Sequence, residues 1–423
     1  MSSSPITELE QRKLIAQVSD RSGLEAHLTS ASRTLYCGFD PTADSLHIGN
    51  LVPLLMLRRF QLFGHRPIAL VGGATGLIGD PSFKGTERSL NAREVVEGWV
   101  GPIREQVSRF VDLTGNNAAI VVDNLDWTRD LDVISFLRDI GKHFSVNAMI
   151  QKDSVRSRLT QHESGISFTE FSYMLLQSMD YMELCKRYNC SLQVGGSDQW
   201  GNITAGMDLV RRTLGRESFA LTVPLVTKSD GTKFGKTESG TVWLDQRRTS
   251  PYAFYQFWLN TADADVLRYL GAFTFVDVIE IESLADSLMN APEKRDAQRR
   301  LASEVTRLVH GVQGVQSADR ISSVLFGGDV HSLTREDLQQ LALDGMSYGR
   351  VGEGENSLVA VLAASPLAAS RSAARKLIES GGVQINGTTV AEADARLTRA
   401  TALFGRFQLI RRGKKAWHLV LHD

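Results

Sequence analysis

Short, continuous apolar runs alternate along the chain with stretches of helical period, and this alternation predicts a parallel sheet covered by helices on both faces. The first run is Leu35-Tyr36-Cys37-Gly38-Phe39, which breaks at Asp40-Pro41 because proline cannot continue a central strand. From His47 the apolar positions become Ile48, Leu51, Leu54, Leu55 and Leu57, the spacing of a helix with a broad buried face. Pro67–Val71, Ala118–Val122, Ser191–Val194 and Leu221–Val226 predict further strands. Upstream, Thr7-x-x-Glu10 reads as a capping box for a helix running through Leu9, Leu14, Ile15 and Val18. Within 131–150, Val133, Ile134, Leu137 and Ile140 line one side of a helix, a face suited either to core or to a subunit contact. Ser167-x-x-Glu170 opens a helix from Phe168 to about Tyr188.

Beyond residue 250 the pattern is helical to about residue 345, and Gly349–Asn356 then breaks all periodicity, as a linker does. The last segment pairs a basic helix, Ser370–Ile378, with a strand ending at Asn386-Gly387. From Arg396 to the end there are seven Lys/Arg residues against one acid, Asp423. A small basic module attached to a neutral chain is the footprint of nucleic-acid binding.

The length of 423 residues implies two or three domains, and 42% hydrophobic with 22% charged residues is ordinary globular composition. A net charge of −1 excludes a chain that is basic throughout. The three cysteines, Cys37, Cys185 and Cys190, form neither a Cys-x-x-Cys pair nor a zinc spacing, so no metal site is expected and a reducing, cytoplasmic setting fits. Met1–Pro5 leads into an amphipathic helix rather than an apolar signal core, and no apolar run reaches membrane-spanning length.

Candidate chemistry gathers where predicted strands end, since ligands of such sheets bind beyond the carboxyl ends of the strands. Asp40, Gly73, Asp80 and Asn124 all fall there, and Gly195–Asn202 repeats the strand, glycine turn and helix start. At His47 and Gly49 a helix N-terminus offers backbone N–H groups and a side-chain donor to a phosphate. Tyr173, Gln177 and Asp180 share one helix face, and Asp180 has no Lys or Arg three or four residues away. A phenol, an amide and a carboxylate among Met174, Leu175, Leu176, Met179 and Met182 resemble the few polar groups of a small-ligand pocket. Residues 72–79 lack Gly-x-Gly-x-x-Gly, and Gly235-Lys236-Thr237 lacks the earlier glycine of a phosphate loop, because Asp230 stands there. What remains at 228–237 is a polar loop with two lysines three apart, suited to closing over a polyphosphate.

Asp40-Pro41-Thr42-x4-His47-Ile48-Gly49, Gly195-Gly196-Ser197-Asp198-Gln199-Trp200-Gly201-Asn202 and Lys233-Phe234-Gly235-Lys236-Thr237 occur in that order, and together they resemble the bacterial tyrosyl-tRNA synthetases, class I aminoacyl-tRNA synthetases, from end to end. The first and last resemble the signatures written HIGH and KMSKS. The resemblance implies a Rossmann-like catalytic domain over 1–245, a helical anticodon-arm-binding domain over 246–348, a linker at 349–357 and a small basic α+β RNA-binding domain over 358–423. It implies that Tyr36 and Asp180 bond the tyrosine hydroxyl, and that Asp80, Tyr173 and Gln177 hold its amino group. Gly38, Asp40, Asp198 and Gln199 would contact the adenylate, and Thr42 and His47 the departing phosphates. Lys84 and Arg88, with Lys233, Lys236 and Thr237, would clamp pyrophosphate.

The implied reaction is attack of the tyrosine carboxylate on the α-phosphate of ATP, then transfer of tyrosine to the end of its tRNA. The nucleophile is already an anion, so catalysis rests on positioning and charge stabilisation, each donor contributing roughly 2–4 kcal/mol. Mg²⁺ is expected to travel with ATP, and a homodimer is expected from the family. Two positions depart from the family pattern: Asn50 stands at the second signature histidine, keeping an N–H donor for the nucleotide, and Phe83 stands where a small residue is usual. The alternatives are a tryptophanyl-tRNA synthetase, disfavoured by Tyr36 with Asp180 and by the basic module, and a non-catalytic RNA-binding scaffold.

Overall fold

The structure, a computed structural model, describes residues 4–82, 90–152, 155–156, 159, 165–232, 234–237, 240–352 and 356–423, with the backbone alone at 236–237. It divides into two compact units, Met1–Leu244 with Ala264–Asn290, and Asp245–Asp263 with Ala291–Asp423.

The first unit is built on a six-stranded sheet in the order β1 (Gln17–Val18), β6 (Phe219–Val223), β5 (Cys190–Gly196), β2 (Thr34–Phe39), β3 (Arg66–Val71) and β4 (Ile120–Asp123). All pairs are parallel except β1 with β6. The order reverses beside β2, so the crevice beyond the ends of β2 and β5 is the topological switch point of the sheet. Leu35, Tyr36, Cys37 and Phe39 are buried on both faces of β2, as a central parallel strand requires. Helix Leu51–Leu62 covers one face with Leu51, Leu54, Leu55, Leu57 and Phe60. Helices Phe168–Tyr188 and Trp200–Leu214 pack closely enough that a Cβ on Gly206 would lie 3.1 Å from the Tyr181 ring.

Two expectations change, and one open alternative narrows. The first helix is Pro5–Gln11, capped by Ser4 rather than Thr7, and Val18 belongs to β1, where Gln17 and Val18 pair with Thr222 and Leu221. Proline at the first helical position and a serine before it make the better cap. Of the apolar face in 131–150, Ile140 is buried but Val133 and Ile134 are each 70% exposed and Leu137 50%, so most of it is not core. Residues 264–290 join the sheet unit. The buried Arg59 guanidinium explains this: it donates to the carbonyls of Gly271 and Thr274, pairs with Glu8 at 3.0 Å and stacks over Phe275.

The second unit pairs helix Pro251–Leu259 with helix Asp296–Leu325, which kinks at Gly311. Its larger sheet has the order β12 (Thr388–Val390), β11 (Val383–Ile385), β14 (Phe407–Arg412), β15 (Ala416–His422), β9 (Tyr348–Val351), and a two-stranded sheet pairs β10 (Asn356–Ser357) with β13 (Arg396–Leu397). The expected linker therefore begins with an edge strand, β9, parallel to β15. Ile321, Val324, Leu338 and Leu341 share one core with Phe407, Leu409, Leu419 and Leu421, so helices and terminal sheet pack together. The turn between β11 and β12 is Asn386-Gly387, both at positive φ (48° and 86°), the geometry of a tight hairpin.

Candidate active site

Around the switch point the ends of β2, β3, β4 and β5 meet the polar face of helix Phe168–Tyr188. Asp40, at the end of β2, accepts hydrogen bonds from Thr75 Oγ1 and from the Tyr173 hydroxyl, each at 2.6 Å. A Cβ on Gly72 would collide with the Asp40 carboxylate, which is why the turn after β3 needs glycine. Asn124, at the end of β4 and fully buried, accepts from Ala74 N–H (2.7 Å) and directs its amide toward Thr75 Oγ1 and Asp180 Oδ2, both at 3.0 Å. Trp127 Nε1 donates to Asp180 Oδ1 at 2.8 Å. One network thus runs from Asp40 to Asp180.

Asp180 is 3% exposed, and burial pushes its carboxyl up to about 7 despite the two donors from Asn124 and Trp127. Tyr36 lies near it, buried and stacked edge-on to Tyr181 at 5.3 Å. Its hydroxyl has no hydrogen-bond partner among the described residues. Burial, then the Asp180 charge, holds that phenol well above its usual range, so it is a neutral donor. Gln193 is paired with Tyr36 across β5 and β2, and its Oε1 is likewise buried without a partner among the described residues. A buried polar atom left unsatisfied in a native fold calls for a ligand or water.

A second network faces it. Gln199 Nε2 donates to Asp80 Oδ2 at 2.7 Å and to Asp198 Oδ2 at 3.2 Å, while Asn202 Nδ2 donates to Gln177 Oε1 at 3.0 Å. Burial raises the Asp198 carboxyl, and burial with the charges of Asp40, Asp80 and Asp180 raises the Tyr173 phenol. So many acids around one phenol make the crevice attractive to an ammonium group. Burial pushes the Cys37 thiol up to about 12, so it is protonated and unreactive at neutral pH.

The HIGH-type signature follows β2. His47 Nδ1 accepts from Gly49 N–H at 3.0 Å, which leaves the proton of a neutral imidazole on Nε2. Asn50 Oδ1 accepts from His47 N–H at 3.1 Å, completing a reciprocal cap. That contact gives Asn50 a role an imidazole is not needed for. Gly38 and Thr42 are exposed beside this turn. On the KMSKS-type side, Phe234 is buried and its ring lies 5.1 Å from Tyr269 and 5.2 Å from Phe273. Upstream, Asp265 accepts from Ser229 N–H and Oγ at 3.1 Å. Lys84, Arg88, Lys233 and Phe83 lie outside the described residues, as do the side chains of Lys236 and Thr237, whose backbone forms β7 (Lys236–Thr237) against β8 (Gly240–Thr241).

The structure thus brings together Tyr36, Asp40, Asp80, Tyr173, Gln177, Asp180, Asp198 and Gln199. Sequence alone assigns no role to Thr75, Trp127 or Gln193, leaves Asn202 as the last residue of a motif, and puts Asn124 at a strand end without naming its partner. The strand-end position of Asn124 and the missing helical partner of Asp180 were the available signals.

Residues 29–327 match the family described as tRNA synthetases class I (W and Y), and residues 337–420 match the tyrosine–tRNA ligase C-terminal domain. A tyrosine–tRNA ligase from Aliivibrio fischeri strain MJ11 is 58% identical over 417 residues, 98% of each chain. The chain belongs to the class I tyrosyl-tRNA synthetases. A tyrosine–tRNA ligase from Geobacillus kaustophilus is 56% identical over 98% of this chain and 99% of its own. A C-terminally truncated mitochondrial tyrosyl-tRNA synthetase of Aspergillus nidulans superimposes with a TM-score of 0.70 at 29% identity, covering 77% of this chain and 95% of that one. Membership spans both units, and the terminal-domain match fits the family of tyrosine enzymes rather than the tryptophan branch of the same model.

Proposed function

We infer that this chain is a tyrosine–tRNA ligase that activates tyrosine with ATP and transfers it to tRNA, with the crevice between β2 and β5 as its tyrosine and adenylate site. The observation that carries the reading is a buried carboxylate, Asp180, held by Asn124 and Trp127 beside a buried, unpartnered phenol, Tyr36. A ligand phenol completes both: it donates to Asp180 and accepts from Tyr36. Phenylalanine would leave these groups unpaired, and tyrosyl-tRNA synthetases are the standard worked example of that selectivity argument. At the other end, Asp80, Tyr173 and Gln177 suit the ammonium group.

The tyrosine carboxylate then faces the ends of β2 and β5, where Gly38 leaves the backbone open and Asp40 is oriented by Thr75 and Tyr173. Asp198 and Gln199 suit the ribose. Attack on the α-phosphate needs no base, because the nucleophile is ionised. His47 Nε2–H and Thr42, with Lys84, Arg88, Lys233, Lys236 and Thr237, meet the charge that builds on the leaving phosphates. Mg²⁺ enters as part of the MgATP substrate, held by phosphates and water.

The exposed Arg371, Arg375 and Lys376 of helix Arg371–Glu379 support the terminal module as a tRNA contact. Exposed Val133, Ile134, Leu137 and Phe168 support a homodimer interface in the sheet unit. No helix among the described residues is long and apolar enough to cross a membrane, and a cytoplasmic site of action fits the family. The test is tyrosine-dependent ATP–pyrophosphate exchange by Asp180→Ala. Loss of most of the exchange supports the pocket; a wild-type rate removes Asp180 from it.

A further inference from the structure

The segment after the KMSKS-type loop is bonded to both signatures at once. Val242 donates its N–H to Gly235 O at 3.2 Å and accepts Ile48 N–H on its own carbonyl at 3.1 Å. Leu244 N–H donates to Leu46 O at 2.8 Å. Val242 and Leu244 are each 4% exposed, so this strap is anchored by burial as well as by its bonds. Gly235 sits at φ +84°, and a Cβ there would lie 3.3 Å from Ile48 Cγ1, so the two signatures lie side by side with little room for a side chain between them.

The bonds flanking His47 and Trp243 make them a non-hydrogen-bonded antiparallel pair, the kind in which facing side chains lie closest. Their rings meet edge-on, with centroids 6.3 Å apart and planes at 62°. The imidazole is therefore fixed on two sides, by Gly49 N–H at Nδ1 and by the indole.

We propose that Trp243 is a positioning residue for tyrosine activation: it holds the His47 imidazole so that Nε2–H stays directed at the leaving phosphates. Val242 links that placement to the loop carrying Gly235. The inference rests on the reading of His47 given above. An imidazole released to swing about its side-chain bonds loses its alignment, and displacements of about 1 Å can cost about 100-fold in rate.

The experiment is a double-mutant cycle on the full-length protein, reading the rate constant of tyrosyl-adenylate formation at saturating ATP, the dissociation constant for tyrosine, and thermal unfolding. Trp243→Leu is expected to slow adenylate formation by about 10- to 100-fold with tyrosine affinity unchanged. Trp243→Phe, which keeps an aromatic edge, is expected within about threefold of wild type. In a His47→Ala background, Trp243→Leu should cost less than about threefold, because its target is gone. An equal factor in both backgrounds, or a matching loss of tyrosine affinity, means a merely structural tryptophan and overturns the inference while leaving His47 in place. Should His47→Ala itself form adenylate at the wild-type rate, the reading of His47 fails, and the role of Trp243 with it. If Trp243→Leu does not fold, Trp243→Phe and Trp243→Met decide: a loss of about 10-fold or more in Met with Phe within about threefold of wild type supports the aromatic-edge role, and equal rates in the two contradict it.

Discussion

Replacing Asp180 by asparagine should stabilise the free protein at alkaline pH relative to acid pH while impairing its activity. The carboxyl is lifted from an ordinary value near 3.8 to about 7 by burial. Between those values the folded chain binds one more proton at Asp180 than the unfolded chain does, so stability falls as pH rises, by about 1.4 kcal/mol per pH unit. The penalty is absent below pH 4, complete above pH 7, and amounts to about 4 kcal/mol. Asparagine has no charge to bury. It offers one oxygen where Asp180 offers two to Asn124 Nδ2 and Trp127 Nε1, a pH-independent cost of about 1–3 kcal/mol. The stability of Asp180→Asn relative to wild type should therefore improve by about 2.5 kcal/mol between pH 5 and pH 8. Urea unfolding followed by tryptophan fluorescence at the two pH values measures this. Added tyrosine should shrink the pH dependence of the wild type, since a bound phenol donor favours the ionised carboxylate. A difference between variant and wild type that is the same at pH 5 and pH 8, within about 0.5 kcal/mol, would refute the reasoning.

Asn124→Ala strips a partner from Asp180, Thr75 and Ala74 N–H together, and should cost about 2–4 kcal/mol of stability and weaken tyrosine binding at least about tenfold, as equilibrium dialysis with labelled tyrosine would show. Neutralising Arg371, Arg375 and Lys376 to glutamine should raise KM for tRNA and flatten its salt dependence, with pyrophosphate exchange unchanged. If the proposed homodimer uses this face, Val133→Asp with Ile134→Asp should sediment as a monomer where the wild type sediments as a dimer; association unchanged by the substitutions would move the interface elsewhere.

Several of these features could be read from residue order because local rules decide them. The apolar run Leu35–Phe39, closed by Asp40-Pro41, reads as a buried strand, and the missing ion-pair partner of Asp180 reads as a carboxylate facing inward, where the structure leaves it 3% exposed. The rest depends on distant segments. Nothing local to Asn124 or Trp127 announces that both reach Asp180, more than fifty residues onward. Arg59 looks like a surface charge on an amphipathic helix until the carbonyls of Gly271 and Thr274 cover it. Asn50 departs from a signature, and only the bond from His47 N–H to its Oδ1 shows what it does there. Gly349–Val351 breaks helical period and so looks like linker, although its backbone completes a sheet edge against β15.

The most direct test is ATP–pyrophosphate exchange by the purified protein with each of the twenty amino acids in turn. Tyrosine should support exchange, with phenylalanine and tryptophan lower by orders of magnitude. Exchange with no amino acid, or exchange led by tryptophan, would contradict the assignment of the crevice at Tyr36 and Asp180.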